Sequence, residues 1–193
     1  GMSQHLVLAN WREIAPEVFV CCSSDVVPKL GEYERGATML LNAYIGPVMH
    51  AYAGELERTA RSYGFRHPIQ FMHCAGGIMP LRDVRRQPVL TLNSGPVGGV
   101  VGSVFLGQAL GTGSIITTDM GGTTFDVALI DQGVPLTRDL SVIQQYEIHV
   151  PMVDIESIGA GGGSLAWLDG AGNLHVGPKS AGAVPGPACY GKG

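Results

Sequence analysis

Apolar positions along the chain change their spacing several times, and each change marks an element. Up to Lys29 the pattern is weak, with Val18-Phe19-Val20-Cys21-Cys22 reading as a short strand closed by Ser23, Ser24 and Asp25. From Tyr33 to Ile45 the spacing is helical. Gly46-Pro47 predicts a break there, with Pro47 opening a second helix. Met49, Tyr52, Ala53, Leu56 and Ala60 then recur on one face, Glu55, Glu57, Arg58 and Arg61 fill the other, and Gly64 suits a C-terminal cap. Ile69-Gln70-Phe71-Met72 reads as a strand running into the loop His73-Cys74-Ala75-Gly76-Gly77. Val89-Leu90-Thr91-Leu92 reads as another strand, and Asn93-Ser94-Gly95-Pro96 turns it into a helix over residues 97–110. Glycines cost that helix stability, so Gly98, Gly99, Gly102 and Gly107 are expected to allow close packing.

Past Gly111-Thr112-Gly113 the period falls to two. Ile115-Ile116-Thr117-Thr118-Asp119-Met120 and Phe125-Asp126-Val127-Ala128-Leu129-Ile130 predict two strands joined by Gly121-Gly122-Thr123-Thr124. Residues 134–143 and 147–158 alternate as strands do. A second glycine cluster, Gly159-Ala160-Gly161-Gly162-Gly163-Ser164, follows, and the turn 169–173 folds Leu165-Ala166-Trp167-Leu168 back onto Leu174-His175-Val176. The tail is small residues and proline. With 29 glycines and 12 prolines in 193 residues, 45% hydrophobic and 15% charged, the chain reads as a strand-rich α/β protein.

A net charge of −4 and the absence of any Lys/Arg cluster exclude a nucleic-acid footprint. Cys21, Cys22, Cys74 and Cys189 match neither a disulfide framework nor zinc spacing, which fits a reducing, cytoplasmic setting. No run of some eighteen apolar residues predicts a membrane span. Gly1 ahead of Met2 reads as a cleavage scar, so the chain is expected to be a piece of a longer protein.

The hairpin turn carries the chemistry. Gly121 and Gly122 hold no Cβ off a ligand, Thr123 and Thr124 add hydroxyls, and backbone N–H groups in such a turn form a concave anion site. Asp119 beside a phosphate makes sense only with a divalent cation between them, which points to Mg²⁺ and a nucleotide phosphate loop. The alternative is a structural hairpin whose Asp and Thr side chains satisfy turn backbone.

Other motifs fail on chemistry. The cluster 159–164 resembles a dinucleotide fingerprint, but Ser164 replaces the last glycine and a hairpin follows where a helix is required. Residues 186–192 resemble a P-loop, yet Gly193 stands where a hydroxyl should bind Mg²⁺ and Pro187 removes an N–H. His73 and Cys74 could be ligands or a nucleophile, though packing at a strand end is the stronger reading. His149 and Asp154, five apart on extended chain, fall on opposite faces. Asp154 either orients a ligand beside the glycine cluster or serves a turn.

Several separated motifs, in order, resemble the hydantoinase A/5-oxoprolinase family, which includes the ATP-using subunits of acetone-type carboxylases. They are Glu32-Tyr33-Glu34-Arg35, Leu41-Asn42-Ala43-Tyr44, Ser94-Gly95-Pro96, Asp119-Met120-Gly121-Gly122-Thr123-Thr124 with Asp126, and Ile158-Gly159-Ala160-Gly161-Gly162-Gly163-Ser164. Val176-Gly177-Pro178-Lys179-Ser180-Ala181-Gly182-Ala183 and Pro185-Gly186-Pro187-Ala188-Cys189-Tyr190-Gly191 complete the series. Two positions depart from the family. Cys74-Ala75-Gly76-Gly77 stands where Ser-Asn-Gly-Gly is frequent, and Phe125 where a small hydroxyl residue is common.

The resemblance implies part of an actin-like (ribonuclease H-like) ATPase fold, with a mixed sheet and a strand-rich second half, in which two lobes close on ATP. Residues 1–112 would end the first lobe, and residues 113–193 would begin the second with its phosphate loop. The motif of the first lobe's loop and the adenosine stretch are not in these residues, so half a nucleotide site is expected. The implied activity is ATP- and Mg²⁺-dependent opening of a cyclic amide such as a hydantoin or 5-oxoproline, by phosphorylation of the ring carbonyl and hydrolysis. Alternatives are the ATP-using subunit of an acetone-type carboxylase and a non-catalytic actin-like nucleotide-binding protein. The implied partner is a second hydantoinase-type subunit or domain. The implied roles are Asp119 on Mg²⁺ through water, Gly121, Gly122, Thr123 and Thr124 on phosphate, and Asp126 orienting the turn or a water. Asp154, Ser157, Gly161, Gly162, Gly163 and Ser164 would lie toward the substrate.

Overall fold

The computed structural model describes residues 9–11, 13–143 and 145–192. The chain packs as two compact units, each made of two stretches: Gly1–Val97 with Thr137–Val153, and Gly98–Leu136 with Asp154–Gly193.

The first unit is built on helix α1, Glu32–Ser62. Glu32 and Glu34 in its first turn and Arg61 in its last complement the helix dipole. Gly64 ends it with φ +85°, the Gly64 N–H bonding Arg61 O at 3.0 Å and the Phe65 N–H bonding Ala60 O at 3.0 Å. That pair is a Schellman cap, as the position of Gly64 predicts. The break expected at Gly46-Pro47 does not occur, and Pro47 lies inside one continuous helix. An interior proline costs about 3 kcal/mol, and packing offsets it here. Gly46 is buried, and a Cβ on it would lie 2.5 Å from the Phe19 ring.

Polar side chains dock α1 onto the rest of the unit. Buried Asn42 accepts the Val89 N–H at 3.1 Å through Oδ1 and donates to Arg86 O at 3.4 Å. Buried Thr38 donates to Glu34 O at 2.6 Å and accepts the His149 N–H at 2.9 Å. Strands β1 (Gln70–Met72) and β2 (Ile78–Pro80) form a hairpin, followed by the short helix α2, Leu81–Arg86. The core collects Cys74, Val89, Ile148, Val150 and Met152, with Ala37, Leu41 and Ile45 of α1 against them.

Two predicted strands are absent. Val18–Cys22 pairs with no strand among the described residues and instead lines a cavity of about 580 Å³ with Pro47, His50, Arg85 and Arg86. Residues 89–92 fall largely in a 3₁₀ turn, Pro88–Thr91, because Pro88 sets the first turn and Asn42 takes the N–H that a strand would use.

Helix α3, Ser94–Leu110, whose residues from Gly98 on belong to the second unit, ends at Gly111 (φ +69°), with Thr112 N–H on Gly107 O at 2.9 Å. The packing role expected of its glycines holds at Gly107, where a Cβ would meet Ile115 Cδ1 at 2.5 Å, and not at Gly99 or Gly102, which face open space. The predicted hairpin is present as β3 (Ile115–Met120) and β4 (Phe125–Asp131). Strand β5 (Val134–Pro135) continues from β4, and β10 (Ile155–Ile158) closes the other edge, giving the order β10-β4-β3.

Between them the chain returns to the first unit as β6 (Thr137–Arg138), β7 (Ser141–Ile143), β8 (Tyr146–Ile148) and β9 (Met152–Val153), with β6 on β9 and β7 on β8. The last hairpin is β11 (Ser164–Leu168) with β12 (Leu174–Ser180). Every described ladder is antiparallel, so the expected mixed sheet is not formed. Neighbouring strands are joined by hairpins or by an excursion returning to the same sheet, and a parallel neighbour would need a crossover. Among the described residues no helix is long and apolar enough to cross a membrane.

Candidate functional site

Strand register places the carboxylates. Asp119 of β3 lies directly opposite Asp126 of β4, and Asp126 directly opposite Ser157 of β10. Directly opposed residues share a face, so the three side chains form a row across the sheet at the end carrying loop 121–124. Asp119 is exposed. Asp126 Oδ2 accepts from Thr124 Oγ1 at 3.5 Å, while Oδ1 is buried without a hydrogen-bond partner among the described residues. Like charges directly opposite destabilise a strand pair. A cation over the row would relieve that repulsion and use the orphaned oxygen.

The loop's backbone is divided between two sides. Gly121 donates to Thr124 O at 2.9 Å. All three carbonyls of residues 121–123 are taken by the second glycine cluster: Gly162 N–H on Gly121 O at 2.9 Å, Gly163 N–H on Gly122 O at 2.7 Å, and Gly161 N–H on Thr123 O at 3.2 Å. In a trans peptide the N–H points opposite to the C=O. The N–H groups of Gly122, Thr123 and Thr124 are therefore turned away from the cluster, and they have no acceptor among the described residues. Three successive N–H groups free on one side make an anion-binding concavity. The donor set is thus residues 122–124, since the Gly121 N–H is committed within the turn. A Cβ on Gly122 would meet nothing within 4 Å, so internal packing does not demand glycine there.

Gly161, Gly162, Gly163 and Ser164, expected toward a substrate, lie against the loop backbone, with Ser164 Oγ donating to Thr123 O at 3.4 Å. Asp154 is apart from the row. It precedes β10, and its N–H bonds Leu136 O at 2.8 Å. The docking of one glycine cluster on the other was not visible in the sequence, which shows turn chemistry but not what a turn packs against.

The remaining candidates make local contacts, with Cys74 Sγ 3.7 Å from His73 Nδ1. Cys74 is buried, its Sγ donates to Pro151 O at 3.5 Å, and burial pushes the thiol up to about 11. His73 Nδ1 accepts the Ala75 N–H at 2.9 Å, and burial lowers the pKa of its ring. No cluster of three or more His, Cys, Asp or Glu side chains suited to a metal occurs among the described residues. Residues 186–192 form a turn in which a Cβ on Gly186 would meet the Tyr190 ring at 2.5 Å.

The hydantoinase/oxoprolinase family model matches residues 35–193. The chain belongs to this family. It is 41% identical over 186 residues to the caprolactamase subunit alpha of Pseudomonas jessenii, covering 96% of this chain and 27% of that protein. Among solved structures it is similar to the ATP-dependent caprolactamase of Pseudomonas jessenii, with TM-score 0.78 and 40% identity over 98% of this chain and 27% of that one. It is also similar to nucleotide-free acetone carboxylase, described as ATP-dependent, with TM-score 0.75 and 31% identity over 93% and 25%. This hydantoinase/oxoprolinase chain thus spans about a quarter of the length of these relatives, and its mixed helix and strand architecture is theirs over that span.

Proposed function

We propose that the protein containing these residues binds ATP with Mg²⁺ at residues 119–126 and opens a cyclic amide. The observation that carries the reading is the outward set of N–H groups at Gly122, Thr123 and Thr124 beside the Asp119–Asp126 pair. Those N–H groups and the Thr124 hydroxyl would hold phosphate oxygens, as anion nests do. Asp119 would hold the cation through water, and Asp126, with its buried unpartnered oxygen, would orient the turn or a water. Amide resonance makes a ring carbonyl a poor electrophile; ATP would transfer its γ-phosphoryl group to the carbonyl oxygen and leave as ADP. Water would add to the activated carbon, the ring C–N bond would break to free the amine, and hydrolysis of the resulting acyl phosphate would release phosphate. The actin-like architecture belongs to the same proposal, with residues 1–112 ending one lobe and 113–193 opening the next. So do a cytoplasmic location and a second subunit or domain as partner.

A second reading, the ATP-using subunit of a ketone carboxylase, is favoured by the similarity to acetone carboxylase. The full-length polypeptide, with any partner subunit, should release phosphate from ATP when given a lactam, hydantoin or 5-oxoproline, and Asp119→Ala should abolish the release. Release driven only by a ketone with bicarbonate would replace the amide reading with the carboxylase one. ATP bound without substrate-stimulated release would leave a nucleotide-binding regulator.

A further inference from the structure

We infer that the second glycine cluster is the positioning element of the phosphate loop, with Gly161 and Gly163 acting through backbone contact and Ser180 latching them. The inference rests on the phosphate-loop reading above and moves these glycines from the substrate side to behind the loop. A hairpin turn left to itself satisfies its carbonyls internally or with water, and then nothing fixes which way its peptide planes face. Here three consecutive planes are fixed from behind by Gly161, Gly162 and Gly163 N–H groups, and only that orientation turns the N–H groups of residues 122–124 outward.

The approach requires glycine at two positions. A Cβ on Gly161 would lie 2.6 Å from Thr123 N and C and 2.7 Å from Gly121 O, and one on Gly163 would lie 2.8 Å from Gly122 O. Rigid backbone lines both positions, so an added methyl must push the loop forward. The middle glycine differs. A Cβ on Gly162 would make only an ordinary contact, 3.7 Å from Gly121 O, so Ala should be tolerated there.

The cluster is itself held from the far side. Ala181 N–H bonds Gly163 O at 2.7 Å, Ser180 Oγ donates to the same oxygen at 3.1 Å, and Gly177 packs so closely on Gly159 O that a Cβ would overlap it. The end of β12 therefore presses the cluster onto the loop. Preorganised donors are worth most when nothing must reorganise on binding, and this layering supplies that rigidity.

The test is Mg·ATP affinity in the full-length protein for Gly163→Ala, Gly161→Ala and Ser180→Ala, with the open-space variants Gly99→Ala and Gly170→Ala as controls, all checked for native circular dichroism. Gly163→Ala and Gly161→Ala should weaken binding about tenfold or more, Ser180→Ala less, and the controls about twofold at most. A second measurement needs no variant. In wild-type protein, amide exchange at Gly161, Gly162 and Gly163 should slow when Mg·ATP is added, because a ligand on the front of the loop stabilises the bonds behind it. Equal affinity of the two alanine variants with the controls, or exchange at these amides unchanged by bound Mg·ATP, would overturn the inference while leaving the phosphate loop standing. Failure of the wild type to bind Mg·ATP would overturn both.

Discussion

Asp119 and Asp126 oppose each other across one strand pair, an arrangement that costs stability unless something positive shares the site. Replacing Asp119 with Asn should therefore weaken Mg·ATP binding about tenfold or more while leaving folding stability unchanged or higher by up to about 1 kcal/mol; titration calorimetry and thermal unfolding measure the two. Loss of stability with unchanged binding would mark the residue as structural. Asn42 should behave in the opposite way. Truncation to Ala orphans the buried Val89 N–H and should cost about 2–3 kcal/mol in denaturant unfolding. Cys74 is the third case. With its pKa pushed up to about 11, roughly one thiol in a thousand is ionised at pH 8. Iodoacetamide should thus label exposed Cys189 and spare Cys74 in the native protein, as peptide mass mapping would record. The hairpin that carries Asp119, Asp126 and loop 121–124 was legible from alternation and turn residues alone. Asn42 was legible only as a motif, because its role depends on a turn 47 residues away.

At the scale of elements, local chemistry was readable where it acts locally. Gly64 caps α1, the helix over 97–110 forms despite its glycines, and the hairpins at 115–131 and 164–180 stand where alternation and turn residues put them. Tertiary contact decided the rest. Pro47 lies inside a continuous helix with the Phe19 ring against neighbouring Gly46, and Pro88–Thr91 winds into a turn in which Asn42 claims the Val89 N–H. The β11–β12 hairpin adds a pH response. The His175 ring, then the Asn173 side chain and N–H groups of Asn173 and Ala171, hold the Asp169 carboxyl well below the usual carboxylate range. A carboxyl lowered in the folded state contributes stability above its ordinary value of about 3.9 and loses that contribution as pH falls through the folded value. The turn should loosen under strong acid. Trp167, stacked on His175 at 4.6 Å, should report it by a change in emission that Asp169→Ala brings on already at neutral pH. An acid response identical in that variant would assign the change elsewhere.

For the whole molecule, two glycine clusters 40 residues apart in the chain meet backbone to backbone, and the intervening chain travels to the first unit and back before they do. Periodicity could name both clusters but not bring them together. The proposed phosphate loop supplies only part of a nucleotide site, so its test calls for a method sensitive to low affinity. Titration of the isotopically labelled chain with Mg·ATP, followed by amide NMR, is that measurement. The account predicts shifts concentrated at Gly122, Thr123 and Thr124, with smaller ones at Gly161, Gly162 and Gly163, and their loss in Asp119→Ala. Shifts elsewhere in the chain with none at residues 122–124 would contradict it and leave the loop a structural hairpin.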